Sequence, residues 1–339
     1  MVMQEAIRSL VEQGSLHPEQ AAAAMEAMMR GEATPAQVGA FLAALRIRGE
    51  SPAIVAELAR VMQAHAEPIP VENVVDVVGT GGDGVDVFNV STAAAVVLAG
   101  AGARVAKHGN RAMSSQCGSA DVLEALGARI DLGGEAVARL VEECNFAFVF
   151  AQRFHPAMRH VAGPRRELGI RTVFNILGPL TNPARPAAQL TGVATEPLAR
   201  LVAGAFALRR PRRVVVVHSA DGLDEVSPAA PTHAWIVEGT TVSERTLSPE
   251  DFGLPRHPLE TVRGGSAAEN AEAMRAVLAG ASGPLADFVL MNAAAAAFAA
   301  GLVEDVREGV ELAREAIGSG RAREVLETYV RRSQELADG

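Results

Sequence analysis

Along the first 65 residues, apolar side chains return every third or fourth position. They run through Ala6, Leu10 and Val11, and again through Val38, Phe41, Leu42 and Leu45. That spacing gives each of several helices one apolar stripe. Thr34-Pro35-Ala36-Gln37 reads as an N-cap, a proline at the first helical position and a glutamine at the third. Ser51-Pro52 repeats the cap-and-proline signal before a helix that ends near His65. At Glu67-Pro68-Ile69-Pro70 the period changes. Val74-Val75-Asp76-Val77-Val78, Ala103-Arg104-Val105-Ala106, Phe146-Ala147-Phe148-Val149-Phe150 and Val214-Val215-Val216-Val217 are short runs with strand character. Helical patterns such as residues 92–100 and 120–126 lie between them. Strands alternating with helices predict a mostly parallel sheet covered on both faces. The chain is therefore expected to be α/β, with a small N-terminal helical domain (1–70) and a large α/β domain (71–339).

With 339 residues, the chain has enough material for a sizeable core. A net charge of −9 weighs against non-specific nucleic-acid binding or binding to acidic membranes, and with one Trp and one Tyr there is little to stack on bases. Two cysteines, Cys117 and Cys144, are too few for a disulfide framework or a Cys-based zinc site, so a reducing cytoplasm is expected. The N-terminus mixes charges among its apolar residues, unlike a signal peptide. The apolar stretch at 288–302 is short, Ala-rich and interrupted by Asn292, so no membrane span is expected. The helical segment carries no candidate chemistry, and its apolar excess suits a partner subunit.

Ligands of open α/β sheets bind beyond the carboxyl ends of the strands, which directs attention to four segments. Gly79-Thr80-Gly81-Gly82-Asp83-Gly84 matches the letters of a dinucleotide fingerprint. No helix follows directly, however, and the next strand ends in Lys107-His108 where an acidic residue would be needed. A P-loop is absent by the same test. Glycines at 79, 81, 82 and 84, with Asn89, Ser91 and Thr92 at a helix start, still suit a phosphate-type ligand. Lys107-His108-Gly109-Asn110-Arg111 adds two cations, an imidazole and an amide, with Ser114 and Ser115 beyond them. Asp224 and Glu225 end the loop that follows the four-valine strand. Such a pair suits magnesium shared with phosphate oxygens better than a general acid and base. His155 and Arg165, with the run 174–183, either recognise a carboxylate or act as surface and capping residues. Glycines, cations and carboxylates together suit a phosphorylated sugar carrying pyrophosphate and magnesium.

Gly79-Thr80-Gly81-Gly82-Asp83, Asn89-Val90-Ser91-Thr92, Lys107-His108-Gly109-Asn110-Arg111, Gly118-Ser119-Ala120-Asp121, residues 174–183 and Asp224-Glu225 together resemble the anthranilate phosphoribosyltransferases. So do Gly264-Gly265, Glu269-Asn270-Ala271 and Met291-Asn292-Ala293-Ala294, and the likeness spans nearly the whole chain. That family transfers phosphoribosyl from 5-phosphoribosyl 1-pyrophosphate (PRPP) to the amine of anthranilate, the second step of tryptophan synthesis. The resemblance implies a nucleoside phosphorylase/phosphoribosyltransferase-like α/β domain, a hinge, and a homodimer through helical domains that include a return segment near 165–185. It places Gly79, Gly82, Asp83, Asn89, Val90, Ser91, Thr92, Lys107, Ser115 and Ser119 on PRPP. Gly79, His108, Asn110, His155 and Arg165 fall on anthranilate, Arg165 reading its carboxylate, and Ser91, Asp224 and Glu225 on magnesium. His108 or solvent is left to take the proton. Val87 and Cys117 depart from a usual Thr and Ser. The rival readings are a pyrimidine nucleoside phosphorylase and a non-catalytic nucleic-acid-binding relative.

Overall fold

The computed structural model describes residues 1–112 and 116–337. Four helices open the chain: α1 (Val2–Arg8, running on into a π-helical turn), α2 (Pro18–Met29), α3 (Pro35–Arg48) and α4 (Pro52–Ala64). The caps fall where the sequence puts them. Thr34 Oγ1 accepts the Gln37 N–H at 3.3 Å while Gln37 returns a bond to the Thr34 N–H, and Ser51 Oγ accepts from Ile54.

The remainder alternates. Strands are β1 (Val75–Gly79), β2 (Val105–Gly109), β3 (Phe146–Phe150), β4 (Ala188–Gly192), β5 (Arg213–Ser219), β6 (Thr232–Glu238) and β7 (Thr241–Leu247). Between and after them come α5 (Val90–Gly100), α6 (Ser119–Ala125), α7 (Gly134–Cys144), α8 (Ala151–Phe154), α9 (Arg159–Leu168), α10 (Phe174–Leu177) and α11 (Glu196–Arg209). Helices α12 (Ala267–Leu278), α13 (Pro284–Ala300), α14 (Val306–Gly318) and α15 (Arg321–Ala337) close the chain. The sheet order is β3-β2-β1-β4-β5-β6-β7; β3 through β5 run parallel, and β6 and β7 antiparallel.

Four of these strands are the four predicted runs. Three more, β4, β6 and β7, were not predicted. Strand β4 reads Ala-Gln-Leu-Thr-Gly, which carries little β preference of its own, yet it is fully buried between β1 and β5. Pairing on both edges overrides its weak propensity. Strands β6 and β7 form a hairpin across Gly239-Thr240, with Gly239 at φ +58°.

Side chains alternate across the sheet. Val215, Val217, Ala234 and Ile236 join a core with α5 and α13, whereas Val214, Val216, Trp235 and Val237 join α11 and the N-terminal helices. Phe174, Ile176, Leu177 and Leu180 share that second core, so the segment after α9 returns to the helical unit. The chain winds outward through β2 and β3 on one side of β1 and through β4 and β5 on the other. The reversal opens a crevice at the carboxyl ends of β1 and β4, where such sheets take ligands.

Candidate active site

Gly79 and Gly192 end β1 and β4 side by side, and the Thr80 N–H donates to the Gly192 carbonyl at 2.9 Å. Asp224 fills the space above them. A Cβ on Gly79 would come within 2.6 Å of Asp224 Oδ2, and one on Gly192 would overlap the Asp224 carbonyl. Glycine is required at both ends by this close approach. Asp224 Oδ2 accepts the Gly81 N–H at 2.7 Å, tying the carboxylate to the glycine loop. Burial pushes the Asp224 carboxyl up to about 7, the neighbouring Asp83 charge adding to the effect. Glu225 is raised well above its ordinary value by burial and then by Asp224, with Lys107 and the Ser91 hydroxyl opposing. Two carboxyls under this strain, beside Ser91, form a hard-oxygen set that a divalent cation would relieve. Among the described residues, no three His, Cys, Asp or Glu side chains converge to hold an ion alone. A magnesium ion here would complete its shell with water and ligand oxygens.

Lys107 lies in β2 with 2 % exposure. Its ammonium donates to the Val77 carbonyl and, at 3.2 Å, to Ser91 Oγ at the start of α5. Burial pulls its pKa down, and the charges of Asp76, Glu225 and Asp224 pull it back. Asp76 is fully buried in β1. Its Oδ1 accepts the His108 N–H at 3.0 Å and its Oδ2 the Asn182 amide at 2.8 Å. Burial raises its carboxyl to about 6 despite the Lys107 charge and these two donors.

On the other side of Lys107 the donors give way to imidazoles. The His108 and His155 rings sit 5.3 Å apart, 3 % and 4 % exposed. His108 Nδ1 faces the Gly178 carbonyl at 3.1 Å; a carbonyl can only accept, so this nitrogen carries the proton. Burial drives His108 down to about 3, helped by His155, and His155 to about 4. Both rings are therefore neutral at pH 7, and both Nε2 atoms are buried without a partner. Arg165 in α9 stacks over Phe174 with its guanidinium carbon 4.9 Å from the ring centre. Burial alone lowers its pKa, with no acidic neighbour opposing. Phe174 begins the segment whose Gly178 holds His108.

Of the predicted residues, Gly79, Ser91, Lys107, Asp224 and Glu225 lie together at the strand ends, with His108 and His155 against one another beside Lys107; the others need qualification. Ser115 lies outside the described residues. Val90 offers no side chain to the cleft: it is in the core, and its N–H faces the Phe88 carbonyl at 2.6 Å. Thr92 is fully buried with an unpartnered hydroxyl. Asn89 uses its amide on the Cys117 carbonyl and on Asn270, which in turn accepts the Gly265 N–H. Asn110 Oδ1 accepts from Gln152, and the Ser119 hydroxyl donates to the Asn110 carbonyl. Arg111, one of the two cations in the run 107–111, is tied to Glu124 and Asp121. Val87, packed on the core, forms a bridge with Arg263.

Asp76, Asn182 and Arg171 were not predicted to serve the site. Arg171 donates to the Gly82 carbonyl at 2.8 Å and the Gly81 carbonyl at 3.2 Å, and clasps the loop where Gly82 sits at φ +79°. A lone carboxylate inside Val-Val-Asp-Val-Val was the available signal for Asp76, because a buried charge needs partners.

Comparisons with known proteins agree with this fold. Residues 4–66 match the glycosyl transferase family helical bundle domain, and residues 71–323 the glycosyl transferase family a/b domain. An anthranilate phosphoribosyltransferase of Thermomicrobium roseum is 56% identical over 326 residues, 94% of each chain. The crystal structure of anthranilate phosphoribosyltransferase from Thermus thermophilus superposes with a TM-score of 0.91 at 44% identity, covering 97% of this chain and 99% of that one. The Saccharomyces cerevisiae enzyme in complex with PRPP and Mg gives 0.91 at 31% identity, covering 98% of both.

Proposed function

The chain belongs to the anthranilate phosphoribosyltransferase family, and from that premise we propose that its crevice transfers phosphoribosyl from PRPP to the amine of anthranilate. The observation that carries the reading is the division of the crevice into two chemistries. Lys107, Ser91, Asp224 and Glu225 gather under the glycine loop, while neutral imidazoles and an arginine with no acidic partner lie beyond them. The first half suits a pyrophosphate with its metal. The second suits a flat ring bearing one carboxylate and an uncharged amine.

In the transfer, the amine nitrogen bonds to C1 of the ribose while the bond from C1 to pyrophosphate oxygen breaks. The electron pair leaves with pyrophosphate, and positive charge develops on the sugar. Ser91, Asp224 and Glu225 would hold magnesium, which supplies positive charge against the departing group. Lys107 adds a fixed ammonium on the same side. Gly79, Gly82, Asp83, Asn89, Thr92 and Ser119 shape the pocket for PRPP, chiefly through backbone and loop position.

Anthranilate's amine is already nucleophilic, so this chain's work on the acceptor side is alignment. Arg165 takes the carboxylate in a fork. His108, His155, Asn110 and Gly79 wall the path, and the open Nε2 acceptors of the histidines can orient the amine. A ring with a pKa of about 3 is a weak base at pH 7, which favours solvent over His108 as proton acceptor.

The helical unit, residues 1–70 with the return segment near 165–185, serves as the dimerising unit. Val2, Val11 and Ile47 stand exposed on it, a set of apolar side chains that a second copy would cover. Among the described residues, no helix is long and apolar enough to cross a membrane. Loss of anthranilate fluorescence with PRPP, requiring Mg2+, is the expected result. A flat signal with folded protein overturns the acceptor, and nucleosides with phosphate would then be tried. A monomeric elution volume overturns the dimer.

A further inference from the structure

Helix α13 is buried along most of its length and built almost wholly of apolar residues, eight of them alanines. Asn292 is the one amide in it and is fully buried. Placing an amide in such surroundings is costly unless every polar atom is paired. Here they are. Asn292 Oδ1 accepts the Val226 N–H at 3.0 Å, and Nδ2 donates to the Val226 carbonyl at 3.0 Å and to the Phe288 carbonyl at 3.0 Å.

Val226 directly follows Asp224 and Glu225. We infer that Asn292 is a positioning residue for the metal-binding carboxylates: its side chain grips both polar groups of Val226 and fixes the segment that presents Asp224 and Glu225 to the crevice. The proposal rests on the magnesium role given to those two residues.

The segment is held at other points as well, but among the described hydrogen bonds Asn292 is the side chain that takes both polar groups of Val226. Upstream, the Ser219 N–H donates to the Leu223 carbonyl at 3.0 Å, closing a turn over Gly222. Downstream, the Ser227 N–H donates to Thr232 Oγ1 at 3.0 Å, and its hydroxyl donates to Asp221 at 2.6 Å. On the crevice side, the Gly81 N–H reaches Asp224 at 2.7 Å, but the glycine loop is itself partly exposed. Asn292 is the anchor from the opposite, rigid side. Without that grip the Val226 N–H and carbonyl lose their partners, and the backbone next to Glu225 is free to shift. A residue acting through the orientation of metal ligands is felt mainly in metal affinity.

The test uses the full-length protein with PRPP and no acceptor, so that nothing turns over. Calorimetric titration of PRPP at a series of Mg2+ concentrations gives the Mg2+ midpoint for binding. Asn292→Ala is expected to raise that midpoint roughly tenfold or more while anthranilate KM moves by less than about twofold. Should Asn292→Ala not fold, Asn292→Ser serves in its place: its hydroxyl can satisfy the Phe288 carbonyl within the helix but cannot reach Val226. Met291→Ala, a fully buried neighbour in the same helix, controls for lost packing. An unchanged midpoint for Asn292→Ala overturns the proposal, as does an equal rise for Met291→Ala or an equal loss toward both substrates. Asp224→Asn with Glu225→Gln is run alongside. If that variant also leaves the midpoint unchanged, the metal assignment itself falls and the inference with it.

Discussion

Arg165 offers a perturbation whose effects on binding and on stability should separate. Its guanidinium stacks on Phe174 at 4.9 Å, and burial lowers its pKa without any acidic neighbour to compensate. Folding therefore keeps a partly desolvated cation unpaired, which only a bound anion would repay. Arg165→Met keeps an apolar stem on Phe174 and removes the charge. Losing one side of a charge-assisted pair to anthranilate's carboxylate should cost about 2–3 kcal/mol. That is about 30- to 150-fold in KM for anthranilate. Stability should hardly change: the lost cation–π contact, about 0.5–1 kcal/mol, is offset by relief of the buried charge. Steady-state fluorescence with each substrate varied in turn gives both KM values, and a thermal melt of the same sample gives Tm. Equal rises in KM for PRPP and anthranilate would refute the reasoning. So would a large fall in Tm, because Arg165 would then be a structural prop.

Asp224→Asn with Glu225→Gln should abolish most activity and flatten the Mg2+ dependence of what remains; an unaltered Mg2+ titration of rate would reject their role. Asp76 bears on pH dependence, its carboxyl rising from 3.8 to about 6 on folding. A folded pKa above the unfolded one favours the native state most below pH about 4, and that contribution is lost as pH rises through about 6. The difference is about 3 kcal/mol. Asp76→Asn should remove this decline from apo-protein denaturant midpoints between pH 4 and 7, and identical slopes in the two proteins would contradict the assignment. Gly192→Ala should displace Asp224 by direct overlap with its carbonyl and lose activity well beyond its loss of Tm; a fully active variant would show that the approach is not as close as described.

Much of this protein is local and was legible without coordinates. Thr34 and Ser51 cap helices because a hydroxyl three residues before a free N–H will bond to it wherever the chain goes. Strands β1, β3 and β5 are dense in β-branched and aromatic residues, and the segments at the ends of the predicted strands carry the glycines, cations and carboxylates that suggest a pyrophosphate ligand. Strand β4 was hidden because Ala-Gln-Leu-Thr-Gly becomes a strand only between two neighbours already in place. The loop-to-loop contacts were hidden for a similar reason. Gly81 meets Asp224 across 143 residues, Asp76 meets Asn182 across 106, and Asn292 meets Val226 across 66. Helical and strand periodicity reports which face a side chain takes within a few residues of itself, and so it determined the elements and the kinds of chemistry on their ends. Which ends meet follows from strand order and the reversal between β1 and β4. Only that packing could bury Asp76 and Lys107 near one another, press Asp224 against two glycines, and leave Arg165 on Phe174 without an acidic partner among the described residues.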